Sequence, residues 1–142
     1  MKNGKQILAA VLKTTQMGQV GIRSLLDTSM DNSLRQALES QLREYDAIET
    51  EALSIALQRG WDLPQIEAGH RFLTDRLTRM RFSRHDSDSG IADILIRSNT
   101  RSMIRELRNL HQFQEDDPHI RILSQKILDC ETAGIQRLKP FL

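Results

Sequence analysis

The chain has 142 residues, and 20 Lys plus Arg against 19 Asp plus Glu give a formal net charge of +1. That length fits one domain, residues 1–142, with a core of its own, and the near-neutral charge gives no general attraction to nucleic acid or to an anionic membrane. The single cysteine, Cys130, excludes an intrachain disulfide and a cluster of thiolate metal ligands. Lys13 and Gln16 interrupt the short apolar run near the N-terminus, so we expect a cytoplasmic, unprocessed protein that makes no membrane contact.

Apolar residues recur every three or four positions along most of the chain, which predicts four long helices and one shorter connecting helix. Gly60 is suited to a left-handed stop after the second helix, and Asp117 with Pro118 is a typical helix start. No strand-like alternation persists, so the predicted class is all-α. The predicted bounds are about 5–28, 33–59, 66–84, 87–113 and 118–139.

Connection lengths decide the arrangement of these helices. Short turns join the first long helix to the second and the third to the fourth, which makes each pair an antiparallel hairpin. About 25 residues, containing the shorter helix, join the two hairpins, which predicts a four-helix bundle with a long helical crossover. The alternative is an up-and-down bundle of five helices. In the third long helix the residues expected to face inward are Ala92, Leu95, Ile96, Met103, Leu107 and Leu110.

The stretch EYDAIETEA, residues 44–52, places four carboxylates on the second helix. With Tyr45 as the inward direction, a step of about 100° per residue turns only Glu49 toward the core. The same construction on the last helix leaves Glu131 as its one inward carboxylate. On the first and third long helices the inward polar residues near the middle are Thr15, Gln19, Asn99 and Ser102.

The bundle, with Glu49-x-x-Ala52 on the second helix and Glu131-x-x-Gly134 on the last, resembles the ferritin-like superfamily. The segments MGQVGIRSLL, LREYDAIETEA and ETAGIQRLKPFL are similar to a family of small bacterial ferritin-like proteins without an assigned function. The resemblance implies a ferritin-like four-helix bundle, whose di-iron members carry Glu-x-x-His on these two helices and a Glu on each of the others.

This chain departs from that motif at four positions. Under the resemblance, Ala52 and Gly134 occupy the histidine positions, and Gln19 and Asn99 occupy those of the two remaining glutamates. A di-metal centre needs about four carboxylates and two imidazoles, so we expect no metal, no cofactor and no catalytic residue. A weak metal or redox protein that binds iron or manganese through Glu49 and Glu131 is the alternative.

The two inward glutamates then require another explanation. A buried carboxylate without a partner costs several kcal/mol, so we expect Glu49 and Glu131 to be hydrogen-bonded to inward polar side chains that fix the helix packing. The four expected partners are Gln19, Gln41, Tyr45 and Asn99.

A basic stretch in the predicted connecting helix is the one sequence feature that favours an anionic partner. It has five arginines and a single acidic residue, Asp75. Arginine side chains also pack along helices beside acidic neighbours, so nucleic-acid binding is only the second alternative. The patch consists of Arg71, Arg76, Arg79, Arg81 and Arg84.

The leading hypothesis is a non-catalytic structural or interaction protein, because the helical framework is intact and the ligand set is incomplete. Its partner is not readable from the sequence. Trp61, directly after Gly60, either closes the end of the bundle or lies in a homodimer contact.

Overall fold

The computed structural model describes residues 1–66 and 87–142, and the regular structure in these two ranges is helical. This confirms the all-α class, and each helix end lies within two residues of its predicted position. The predicted connecting helix lies outside the described residues, apart from Ile66, which is not helical. The helices are α1 (Gly4–Leu26), α2 (Asn32–Arg59), α3 (Asp88–Gln112) and α4 (Pro118–Leu138), with a short 3-10 helix at Lys139–Phe141.

Local side-chain chemistry fixes the helix ends. Asn3 begins α1 with a capping box in which its side chain and that of Gln6 each accept the other's backbone N–H. Asp31 caps α2, so the start signal lies two residues before the serine at position 33. Gly60 ends α2 with φ at 68°, a left-handed conformation that favours glycine. Asp117 caps α4 by accepting the backbone N–H of Ile120.

Two contacts show which helix ends lie together. The backbone N–H of Lys2, just before α1, donates to the carbonyl of Gln112 at the end of α3 over 2.9 Å. The backbone N–H of Asp31, just before α2, lies 3.4 Å from a carboxylate oxygen of Asp88 at the start of α3. Helices α2 and α3 therefore begin at the same end of the bundle, and α1 begins at the other.

The four sides of the bundle are packed unequally. Helix α1 packs closely on α2, α3 on α4, and α2 on α4, whereas the fourth side of the bundle, between α1 and α3, is the most loosely packed of the four sides. Three ion pairs run along the α2–α4 side from one end to the other. They are Arg59–Asp117, Lys126–Glu51 and Arg137–Glu44.

The buried face of α3 differs from the predicted one. Ala92 is buried as expected, but Leu107 is 45% exposed, so its predicted inward position is wrong. The physical reason is that polar side chains occupy much of the inner face of α3, so some of its apolar residues, Leu107 among them, lie on the outer face. The buried residues of α3 are Ile91, Ala92, Asn99, Glu106 and Asn109. No helix in the described ranges is long and apolar enough to cross a bilayer.

Candidate ligand cleft and polar interior

Glu49 is half-buried between α1 and α2 rather than at the bundle centre. Its carboxylate accepts hydrogen bonds from the side-chain amides of Gln19 at 3.3 Å and Gln16 at 3.1 Å. The expected bond to Gln19 is confirmed. The bond from Gln16 was not predicted, although Gln16 lies three residues before Gln19 and therefore on the same helix face. The Gln19 amide also donates to Asp46, which pairs with an arginine of α1, so Glu49 belongs to a network that joins α1 to α2.

Glu131 has a different environment. It is fully buried, and neither carboxylate oxygen has a hydrogen-bond partner within the described ranges, so the expectation that one of the four polar side chains would bond to it is wrong. The pKa of Glu131 is raised from its ordinary 4.5 to about 9, mainly by burial and in addition by the negative charge of Glu106, while Arg105 partly opposes the rise. Glu131 therefore carries a proton at neutral pH, which removes the cost of an unpaired buried charge.

Glu106 is a buried carboxylate of α3 that the sequence analysis did not identify. One of its oxygens accepts a hydrogen bond from the Thr14 hydroxyl of α1 at 3.0 Å, and the other has no partner among the described residues. Burial raises its pKa, and the bond from Thr14 partly opposes that rise. The helical period contained a signal for it, because Glu106 follows Asn99 by two turns and so shares its inward face.

Three uncharged polar side chains, Gln41, Tyr45 and Asn99, meet in the interior and are called the amide layer below. The Gln41 side-chain N–H group donates to the Tyr45 hydroxyl at 3.0 Å and to the Asn99 carbonyl at 3.1 Å, and the Asn99 amide donates back to Gln41. All three side chains are buried. The layer joins α2 to α3 and satisfies amide groups that would otherwise destabilise the interior.

Two glycines make room for the amide layer. A Cβ at Gly134 would lie 2.5 Å from the Gln41 carbonyl oxygen, and a Cβ at Gly18 would lie 2.5 Å from the ring of Tyr45. Both distances are shorter than any real Cβ contact, so a larger residue at either position would displace the layer. Of the residues predicted to replace metal ligands, Asn99 and Gly134 thus lie together, and Ala52 is part of the apolar core.

Cys130 lies beside this interior but has no reactive environment. It is a buried free thiol. Burial raises its pKa well above its ordinary value, and the neighbouring carboxylates Glu44 and Glu131 raise it further. A thiol of raised pKa is a poor nucleophile and a poor metal ligand at neutral pH.

A cleft of about 520 Å³ separates α1 from α3, on the loosely packed side of the bundle. Gln41 and Tyr45 reach it from α2, so the amide layer forms part of its floor. Four of its lining residues are cations, and none of the described lining residues is a carboxylate. The cations are Lys2, Lys13, Arg101 and Arg105.

The described residues do not bring the predicted site together. No hydrogen bond joins Glu49 to Glu131, and no group of three or more His, Cys, Asp or Glu side chains in the described part of the chain is placed to hold a metal ion. The arginine patch at 71–84 lies outside the described residues. Comparison with known proteins finds no matching family model, no matching curated protein and no matching solved structure.

Proposed function

We infer that the protein is a non-catalytic interaction protein whose helices follow the ferritin-like order. Support for this order comes from the contact of Asp31 with Asp88, because two helices that begin at the same end require a connection that returns along the bundle. The other two connections, 27–31 and 113–117, are short. A four-helix bundle joined only by short turns would not allow it, whereas the middle helix of a five-helix up-and-down bundle would supply such a return as well.

The observation that carries the non-catalytic proposal is the amide layer. Under the resemblance, Gly134 occupies a histidine position, and the space beside its Cα is filled by the amides of Gln41 and Asn99. Amides are weak, uncharged donors, whereas two divalent ions need several carboxylates and imidazoles for charge balance. The donor set therefore does not fit a di-metal centre, and we derive no reaction step through one.

The alternative of a weak metal or redox protein requires Glu49 and Glu131 to act together. Glu49 is held by two glutamine amides between α1 and α2, whereas Glu131 is fully buried and its closest electrostatic partners are Glu106 and Arg105. Since Glu131 is protonated at neutral pH, it would have to lose its proton before it could bind a cation. These two environments favour the interaction protein over the metal protein.

Metal analysis of the purified protein tests this proposal. The chain is expressed without a tag, purified without chelator, and analysed for iron, manganese and zinc, with a matched sample of the Glu131→Gln variant. We expect both samples to contain far less than one ion per chain. Stoichiometric metal in the natural chain that disappears in Glu131→Gln would overturn the proposal and favour the metal-protein alternative.

A further inference from the structure

The cleft between α1 and α3 has four cations in its lining, although the net charge of the whole chain is only +1. Its cations Lys13 and Arg101 have no hydrogen-bond or ion-pair partner among the described residues. Lys2 and Arg105 donate hydrogen bonds to the neutral side chains of Asn109 and Ser102, and their charges also act on the buried carboxyl group of Glu106, where they partly oppose the rise in pKa that burial causes. By contrast, five cations elsewhere in the described ranges form ion pairs with carboxylates. With a net charge of only +1 for the whole chain, this cleft is a local positive field.

The cations face one another across the cleft. Thr14 of α1 is hydrogen-bonded to Glu106 of α3, so Lys13 and Arg105, each one residue from this bond, lie within about one helical turn of each other along the bundle. Arg101 lies one turn from Arg105 on α3 and lines the same cleft. A negatively charged group at this level would meet cations from both walls.

The floor of the cleft supplies neutral donors and acceptors. The Tyr45 hydroxyl accepts a hydrogen bond from Gln41 and, in the described part of the chain, makes no other, so its proton remains available to a ligand. Burial raises the pKa of Tyr45 and keeps this proton in place. The hydroxyls of Ser98 and Ser102 line the same space. A few polar groups placed in a concave site are what fix the orientation of a small ligand.

Gly21 shows that the space is not needed for packing. A Cβ added there would meet nothing within 4 Å, although glycine inside a helix costs about 0.5–1 kcal/mol relative to alanine. Gly21 is nevertheless part of the cleft wall. Its missing side chain keeps open a volume that falls in the usual range of small-molecule sites, about 300–1,000 Å³.

We propose that this cleft binds a small organic anion, whose phosphate or carboxylate group lies between Lys13, Arg101 and Arg105 and whose polar body contacts the amide layer. A single inorganic ion would fill only part of the volume, so the ligand has a body as well as a charge. The proposal goes beyond the interaction protein inferred above, and metal found in the interior would leave it unaffected.

Calorimetric titration of the full chain tests the proposal with four defined probes. These are pyrophosphate, a nucleoside monophosphate, citrate and the neutral polyol sorbitol, each in about 50 mM salt, where the Debye length is long enough to preserve the attraction. We expect one-to-one binding of at least one anion, weakening as salt is added, and no binding of sorbitol. Preference for the phosphates or for citrate identifies the acidic group of the ligand.

Matched variants locate the binding. Lys13→Ala with Arg101→Ala should weaken it by about tenfold or more, which corresponds to about 1.4 kcal/mol. Lys5→Ala with Arg108→Ala changes charge equally on the same two helices outside the cleft, and should leave affinity within about twofold. Gly21→Leu should block binding without lowering the melting temperature. Failure of all three anions to bind, or equal losses in the two double variants, would overturn the proposal.

Discussion

The α2–α4 side and the α1–α3 side of this bundle use charge in opposite ways. On the first, Arg137 donates to Glu44 over 2.6 Å and Lys126 to Glu51 over 2.8 Å, so cations and carboxylates alternate across a closely packed seam. On the second, four cations surround a cleft that has no carboxylate in its described lining. Like charges close together destabilise a fold and gain nothing from burial. The difference indicates that the α2–α4 side stabilises the bundle and that the α1–α3 side serves binding.

The largest predicted effect concerns the interior between the two sides and depends on pH. Because folding raises the pKa of Glu131 from 4.5 to about 9, the stability gained by binding this proton is fully present below about pH 4.5, declines as pH rises, and is lost above about pH 9. The free energy of unfolding should therefore fall by about 1.4 kcal/mol per pH unit between about pH 5 and 8. Urea denaturation at several pH values measures this slope.

Glu131→Gln should remove most of that slope, because the amide does not titrate. Glu49→Gln is the control, since Glu49 is half-buried and its carboxylate is hydrogen-bonded, and it should keep the slope. A slope that survives Glu131→Gln would assign the titration to other groups, with Glu106 the first to examine because burial raises its pKa as well.

The second prediction compares two glycines of α1 that are one turn apart. Gly18→Ala places a Cβ 2.5 Å from the Tyr45 ring and should destabilise the protein by about 1–3 kcal/mol. Gly21→Ala points into open space and should stabilise it by about 0.5–1 kcal/mol. Thermal unfolding of the two variants measures both signs. Equal destabilisation by both would mean that the cleft wall is packed and would contradict the comparison.

The third prediction concerns the end of the closed side, where Asp117 both caps α4 and pairs with Arg59. Its pKa is lowered mainly by the bond from that arginine, so its contribution to stability is lost as pH falls through the lowered pKa. Asp117→Ala should cost about 1–2 kcal/mol at neutral pH. Asp117→Asn keeps a capping oxygen and should therefore lower the free energy of unfolding by less. If both variants lower it equally, the cap of α4 contributes little to stability and the ion pair with Arg59 accounts for the loss.

The smallest predicted effects come from single charges on the two sides. A double-mutant cycle on Arg137 and Glu44, both about one-third exposed, should give a coupling energy of about 0.3–1 kcal/mol. Arg101→Ala should leave the free energy of unfolding unchanged or raise it slightly, because it removes repulsion from the cleft. A loss of stability in Arg101→Ala as large as that in Arg137→Ala would remove the contrast between the two sides.

The helices could be predicted from the sequence because their ends depend on local signals. Asp117 followed by Pro118 starts α4 where expected, and Gly60 ends α2 in the left-handed conformation that its lack of a side chain favours. The period of the apolar residues predicted the buried faces of α1, α2 and α4. On α3 it failed, because Asn99 and Glu106 face inward and a pattern of apolar residues does not register buried polar ones.

The site was predictable only in part. A helical projection correctly turned Glu131 and Asn99 inward, but it assigns no distance between helices, so it could not show that Glu131 lacks a partner while Asn99 bonds to Gln41. The cleft had no sequence signal, because Lys13 on α1 and the two arginines on α3 are about 90 residues apart in the chain and appear as ordinary surface charges.

The central claim is that ligand binding occurs at the α1–α3 cleft. The most direct test is a titration of the isotope-labelled protein with whichever of the three anions binds most tightly in the calorimetric titration, followed through the backbone amide resonances. We predict saturable shifts at Gly18, Gly21, Ser98 and Ser102, which line the cleft, and unchanged resonances around the Lys126–Glu51 pair on the opposite side. Shifts concentrated on α2 and α4, or no saturable shift in the cleft, would contradict the claim.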